Sequence, residues 1–331
     1  MSLAHPYLLF LGDAPDALAA KVAQGIRDWR PDAAVGQLRL DGCNADMGLP
    51  DMTIADAVAA GAKTLVIGVA NRGGVISEAW TKVLVEAIEA GMDLAAGLHT
   101  LLRNQPALVD AAARHDRRLH DVRLPNRPYP IGDGKRRSGK RVLAVGTDCS
   151  CGKMYTTLAL EKAMHAAGRK ATFRATGQTG ILITGEGVPL DAVVADFMAG
   201  AVEALTPDNE PDHWDIIEGQ GSLFHPSFSG VTMALIHGGL PDALVLCHEP
   251  TRTHMRGLPH YDVPSLDELS PLALQLAQRV NPDCRVVGIA VNTAALSEDE
   301  ALAYLAETEA RLGLPTVDPF RQGAGRLADA L

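Results

Sequence analysis

The run GTDCSCGKM at residues 146–154 sets two glycines and a lysine in a short polar turn between an apolar stretch and a helix-forming one. A glycine-rich turn in that place exposes consecutive backbone N–H groups at the positive end of a helix dipole, with an ammonium beside them, and this is the chemistry of phosphate binding. Gly146, Thr147, Asp148, Cys149, Ser150, Cys151, Gly152, Lys153 and Met154 are therefore the expected cofactor-binding residues. A loop that holds a Mg²⁺-bound triphosphate carries Ser or Thr directly after the lysine. Here that position is Met154, so the spacing predicts phosphate binding without hydrolysis. Three further places could do chemistry. The run IEGQG at 217–221 delivers Glu218 into a glycine turn at the end of a short apolar stretch. Asn71-Arg72-Gly73-Gly74 precedes a helix starting near Ser77, so Arg72 either meets a small anion or belongs to a plain helix-entry turn. The stretch 249–265 is proline-bearing, rich in Arg and His, and longer than the usual connection of about 4–6 residues.

These residues need elements to hold them. Residues 7–124 alternate short apolar runs (7–11, 35–40, 63–69, 93–98) with helical patterns (15–29, 52–60, 77–90, 104–115). Such βα alternation demands right-handed crossovers and a parallel sheet covered on both faces, with ligands at the carboxyl ends of the strands. The first run ends in Gly12-Asp13-Ala14-Pro15 and lacks G-x-G-x-x-G, which argues against a dinucleotide there. Residues 125–140 hold three prolines, three glycines and no hydrophobic period, and read as a linker between a domain at 1–124 and another at 141–331. Its basic cluster, Lys135, Arg136, Arg137, Lys140 and the adjoining Arg141, either draws a phosphorylated ligand toward the loop or is simply solvated. The second domain is expected to carry strands at 141–146, 170–175, 214–218, 242–247, 285–291 and 314–318. Glycine turns are expected at 176–180 and 184–187, and helices at 190–205, 228–238 and 297–312.

With 331 residues, 47% of them apolar, the chain can bury two conventional cores. A net charge of −10 opposes nucleic acid or an anionic membrane as a standing partner, because either needs an extended basic surface. Five cysteines, an odd number without a secretory leader, fit reduced thiols in the cytoplasm. No stretch approaches the roughly 18 apolar residues of a membrane span. Neither Cys149-Ser150-Cys151 nor the set Cys247, His248, His254 and His260 has a metal-ligand spacing, so no metal is expected. A chain of this size is expected to form a symmetric homo-oligomer.

GTDCSCGK together with the later acidic strand motif resembles dethiobiotin-synthetase-type P-loop proteins. Adding NRGG at 71–74, ATGQTG at 175–180, EGQGSLFHP at 218–226 and HEPTRTHMRG at 248–257, the chain resembles the DgcN family over nearly its full length. The resemblance implies an α/β protein with an N-terminal Rossmann-like parallel-sheet domain and a C-terminal P-loop NTPase-like parallel-sheet domain. It also implies transfer of acetyl from acetyl-CoA to the amino group of D-glutamate. Acetyl-CoA carries phosphates that a glycine loop and Lys153 can hold without Mg²⁺, which accommodates Met154.

Under that activity the amine must lose a proton, and Glu218, His225 and His248, with His254 beside them, are the candidate bases. The glycine turns at 177–180 or 219–222 offer backbone donors to an oxyanion. An acceptor with two carboxylates calls for arginine, first Arg252 and Arg256, then Arg72 and Arg174. Two other readings stay open: an ATP- and Mg²⁺-dependent ligase or kinase using Asp148 and Glu218, and a regulatory module that binds a nucleotide or CoA without turnover.

Overall fold

The computed structural model describes every residue except 1–2, 18, 70–74 and 126. Two compact units are present, one of Met1–Asn126 with Gly177–Ala192 and one of Arg127–Thr176 with Val193–Leu331.

The first unit is built on strands β1 (Tyr7–Gly12), β2 (Ala34–Arg39), β3 (Thr64–Ile67), β4 (Asp93–Ala96) and β5 (Leu119–Asp121). They pair in the order β2-β1-β3-β4-β5, all parallel. β1 is buried along its whole length, as a strand covered on both faces must be. Helices α1 (Lys21–Trp29), α2 (Ile54–Ala59), α3 (Glu78–Glu89) and α4 (Pro106–His115) fill the crossovers. Thr53 and Asp56 close a capping box at the start of α2, which is why that six-residue helix begins where it does.

The second unit carries β6 (Lys140–Gly146), α5 (Lys153–Ala166), β7 (Ala171–Arg174), α7 (Ala195–Leu205), β8 (Trp214–Ile217), α8 (Ser229–Gly239) and β9 (Ala243–His248). They are followed by α9 (Leu266–Val280), β12 (Arg285–Val291), α10 (Glu298–Leu312), β13 (Thr316–Val317) and α11 (Gly325–Asp329). The six-stranded sheet is parallel throughout, in the order β13-β12-β9-β6-β8-β7. β6 lies between β8 and β9, with Leu143 opposite Ile217 on one side and Gly146 opposite Cys247 on the other. The loop after β6 is thereby flanked by the carboxyl ends of both neighbours.

Three expectations change. The glycine turn expected from 176 is helix α6 (Gln178–Thr184), capped at Gly177, and it packs in the first unit against α1. The connection 249–265 contains a hairpin of β10 (His254–Met255) and β11 (Leu258–Asp262), with Arg256 and Gly257 at its tip. Residues 127–139 are fastened to the second unit and do not hang as a solvated tether. Arg137 donates through Nε to Thr206 O at 2.6 Å and through Nη2 to Gly238 O at 2.7 Å, and Arg141 is buried. Lys135 pairs with Asp133 and Arg136 lies near Asp242 and Asp283 at the surface, while the Lys140 ammonium sits over the Trp214 ring.

All five cysteines are free. No helix among the described residues is long and apolar enough to cross a membrane.

Candidate active site

The loop 146–154 leaves the sheet at Gly146 and enters α5 through Gly152, which caps the helix with φ of 106°. That left-handed backbone suits glycine, and among the described residues no side chain caps the helix at this end, where backbone N–H groups favour an anion. Lys153 is only 5% exposed and its Nζ donates to Asp148 O at 2.7 Å, closing the loop on itself. Thr147 is held from three sides. Its N–H donates to Cys247 O at 3.0 Å, its carbonyl accepts from Ser222 Oγ at 2.9 Å, and its Oγ1 lies 2.9 Å from His248 Nδ1.

Asp148 is completely buried. Its Oδ1 accepts from Cys149 N at 2.7 Å, and its Oδ2 accepts from Arg252 Nη1 at 2.7 Å and from Arg256 N at 2.8 Å. Arg252 also donates to Cys149 O at 2.6 Å and to Ser150 O at 3.3 Å, and pairs with Glu249. Arg252 was a candidate for ligand contact, and its guanidinium instead fastens the hairpin to the loop. Arg174, another candidate, is engaged by Asp215 at 2.7 Å. Arg72 lies outside the described residues. Arg256 is exposed, and among the described residues its guanidinium has no hydrogen bond or ion pair.

The three candidate bases differ sharply. Glu218 is buried and its Oε2 accepts from Thr176 N at 2.8 Å, while Thr176 Oγ1 donates back to Glu218 O at 2.7 Å. This ties the ends of β7 and β8 together. His225 is 2% exposed. Its Nδ1 accepts from Ser227 N at 3.2 Å, which puts the ring proton on Nε2, 3.4 Å from Arg256 O. Neither ring nitrogen then keeps a free lone pair, so this geometry does not suit a base.

His248 ends β9, stacks on Tyr304 at 6.3 Å, and among the described residues has no partner at Nε2. Burial lowers its pKa from 6.5 to about 4, so the ring is neutral near pH 7 and can accept a proton. The same shift sets a pH dependence. Between those two values the unfolded chain binds more protons than the folded one, so stability is complete above pH 6.5 and is lost as pH falls toward 4. Denaturant unfolding is expected to show wild type losing more stability than His248→Gln between about pH 7.5 and about pH 5. Parallel losses in the two proteins would reject this assignment.

Asp148, Cys149 and His225 each bring a possible metal donor atom within 4.8 Å of the others. Their donors are already in use, with both Asp148 oxygens and His225 Nδ1 accepting N–H groups and the Arg252 cation beside them. Burial also pushes the Cys149 thiol up, away from the thiolate a metal needs. The trio fits a cation poorly.

Thr176, Ser222 and Glu249 hold the site together, and sequence reasoning passed over them. The available signal was a hydroxyl or carboxyl residue directly beyond a strand end or glycine turn, a common pattern with little specificity.

Comparisons place this geometry among known proteins. Residues 130–328 match a family described as "Domain of unknown function (DUF1611_C) P-loop domain", and residues 38–125 match its partner, "DUF1611_N" Rossmann-like domain. A curated protein of Tritonibacter scottomollicae named D-glutamate N-acetyltransferase is 72% identical over 326 residues, covering 98% of each chain. One of the same name from a Pseudoalteromonas species is 50% identical, covering 98% of this chain and 97% of its own. The crystal structure of a DUF1611 family protein from Anabaena variabilis superposes with a TM-score of 0.87 at 35% identity, covering 99% of both chains.

Proposed function

We propose, from the premise that this chain belongs to the DUF1611 family, that it transfers an acetyl group to the amino nitrogen of D-glutamate. One observation carries the reading: the relative of that name is 72% identical over 98% of both chains. The donor in this proposal is acetyl-CoA, which supplies a thioester and carries phosphates for the loop. Lys153 and the uncapped N–H groups of α5 answer that negative charge.

His248 is the base in this reading. The acceptor's ammonium first loses a proton to solvent, the free amine attacks the thioester carbonyl carbon and the C–S bond breaks to release the CoA thiolate. The nitrogen, acidic once bonded to that carbon, gives its surplus proton to the neutral imidazole. Thr147 fixes the ring through Nδ1 and leaves Nε2 to work. Glycine-turn amides at 219–222 supply donors for the oxyanion. The protein acts on small molecules in the cytoplasm as a homo-oligomer, and its charge of −10 discourages nucleic-acid and membrane partners.

Incubation with acetyl-CoA and D-glutamate is expected to release free CoA, with N-acetyl-D-glutamate as the other product. No CoA release across a panel of D-amino acids would sink the proposal. Met154 separates this chemistry from triphosphate hydrolysis, as does the Glu218 carboxylate, which is occupied by Thr176. Wild type is expected to form no ADP from ATP and Mg²⁺. ADP formation as fast as that of Met154→Thr would overturn the reading of the loop.

A further inference from the structure

We infer that Arg256 is the receptor for a carboxylate of the amino-acid acceptor, and that Asp148 and His225 are positioning residues that hold it in place. The inference rests on the acetyltransfer reading and specifies where its acidic substrate is recognised.

Arg256 occupies the first position of the two-residue tip between Met255 and Leu258, which pair across the hairpin. Exposed hairpin tips ordinarily leave their peptide groups to water. Here both peptide groups of one tip residue are taken by buried side chains: its N–H donates to Asp148 Oδ2 at 2.8 Å, and its C=O faces His225 Nε2 at 3.4 Å. Burying a carboxylate and an imidazole is costly unless each is well partnered. Spending part of their bonding capacity on an exposed residue's backbone makes sense if that residue must stay put. The neighbouring Met255 is buried and anchors the tip from the other side. The result is a fixed backbone bearing a free guanidinium, a few bonds from the loop that carries Lys153.

Competition among the cations points the same way. Arg252 is neutralised by Asp148 and Glu249, and Arg174 by Asp215. Arg256 keeps all its donors, and its planar fork suits a carboxylate in two-point contact. A carboxylate approaching the mouth of the loop therefore meets Arg256 as uncompensated positive charge.

Steady-state CoA release by wild type, Arg256→Ala, Arg256→Lys and Asp148→Asn tests this. Arg256→Ala changes an exposed side chain and should fold normally. It is expected to raise KM for D-glutamate about tenfold to a hundredfold, the worth of a lost charge-assisted contact, with KM for acetyl-CoA changed less than about twofold. Arg256→Lys, which keeps the charge and loses the fork, should fall between. Asp148→Asn should also raise KM for D-glutamate although Arg256 is intact, and because Asp148 lies in the donor loop and holds Arg252 the one-sided split is read on the Arg256 variants. An unchanged KM for D-glutamate, equal rises for both substrates, or a rise for acetyl-CoA alone would each overturn the assignment. Calorimetric titration with D-glutamate reads binding without turnover. A wild type that binds D-glutamate but releases no CoA rejects the acetyltransfer reading, whereas equal D-glutamate affinity in wild type and Arg256→Ala rejects this inference alone.

Discussion

Lys153→Met is expected to lower kcat/KM for acetyl-CoA about a hundredfold while leaving the thermal midpoint unchanged or slightly higher. The two effects part company because the ammonium serves the ligand more than the fold. At rest Lys153 Nζ is almost wholly buried and donates to Asp148 O at 2.7 Å, with Cys151 Sγ 3.7 Å away. A charge kept in such a place bears a desolvation cost that a methionine of similar length avoids. The proposed phosphate, in contrast, loses a charge-assisted hydrogen bond worth about 3 kcal/mol at the upper end, which is roughly two powers of ten. Donor-dependence of CoA release and a melting curve measure both halves. A variant with the wild-type donor constant would show that the loop does not bind the donor through its lysine.

Gly219→Ala should destabilise the protein by about 3 kcal/mol or more and weaken donor binding as well. A Cβ at Gly219 would sit 1.9 Å from Ala144 O and 2.8 Å from Lys153 Cδ. The first clash is with the backbone of central strand β6, which cannot step aside without disturbing its pairing to β8 and β9. The second displaces the stem of the lysine. Gly230→Ala is the control, since a Cβ there meets nothing within 4 Å and the residue lies in α8. It should be neutral or stabilising by up to about 1 kcal/mol. Urea unfolding of both variants decides the matter, and a Gly219→Ala protein as stable as wild type would contradict the packing described.

The contrast between these residues and the hairpin marks what could be read from the chain. The 146–154 loop was legible because its meaning is local: a buried apolar strand, a glycine turn, a lysine and a helix follow one another without interruption. The parallel sheets were legible for the same reason, as continuous apolar runs at βα spacing. The role of Arg252 was hidden, because its partner Asp148 lies 104 residues away and only the adjacency of β6 and β9 brings them together. A composition rich in Arg and His made both loop arginines look equally available. Only the hydrogen-bond pattern separates the one that fastens from the one left free. Likewise ATGQTG looked like an open turn because glycine is usually a helix breaker. Gly177 instead caps α6, and Gly180 is buried within it.

Helix α6 has a consequence for how the polypeptide comes into being. The first unit draws residues 177–192 from between two stretches of the second, and α1 meets that insert where Gly25 lies against Thr179 and Ile183. A nascent chain therefore cannot complete its amino-terminal half until residue 192 has left the ribosome, by which time β6, α5 and β7 have already emerged. A gene cut at residue 126 would yield an amino-terminal fragment missing the helix that covers α1, and a carboxy-terminal fragment carrying that helix with nothing to cover. The two units are distinct in space and inseparable in the reading frame.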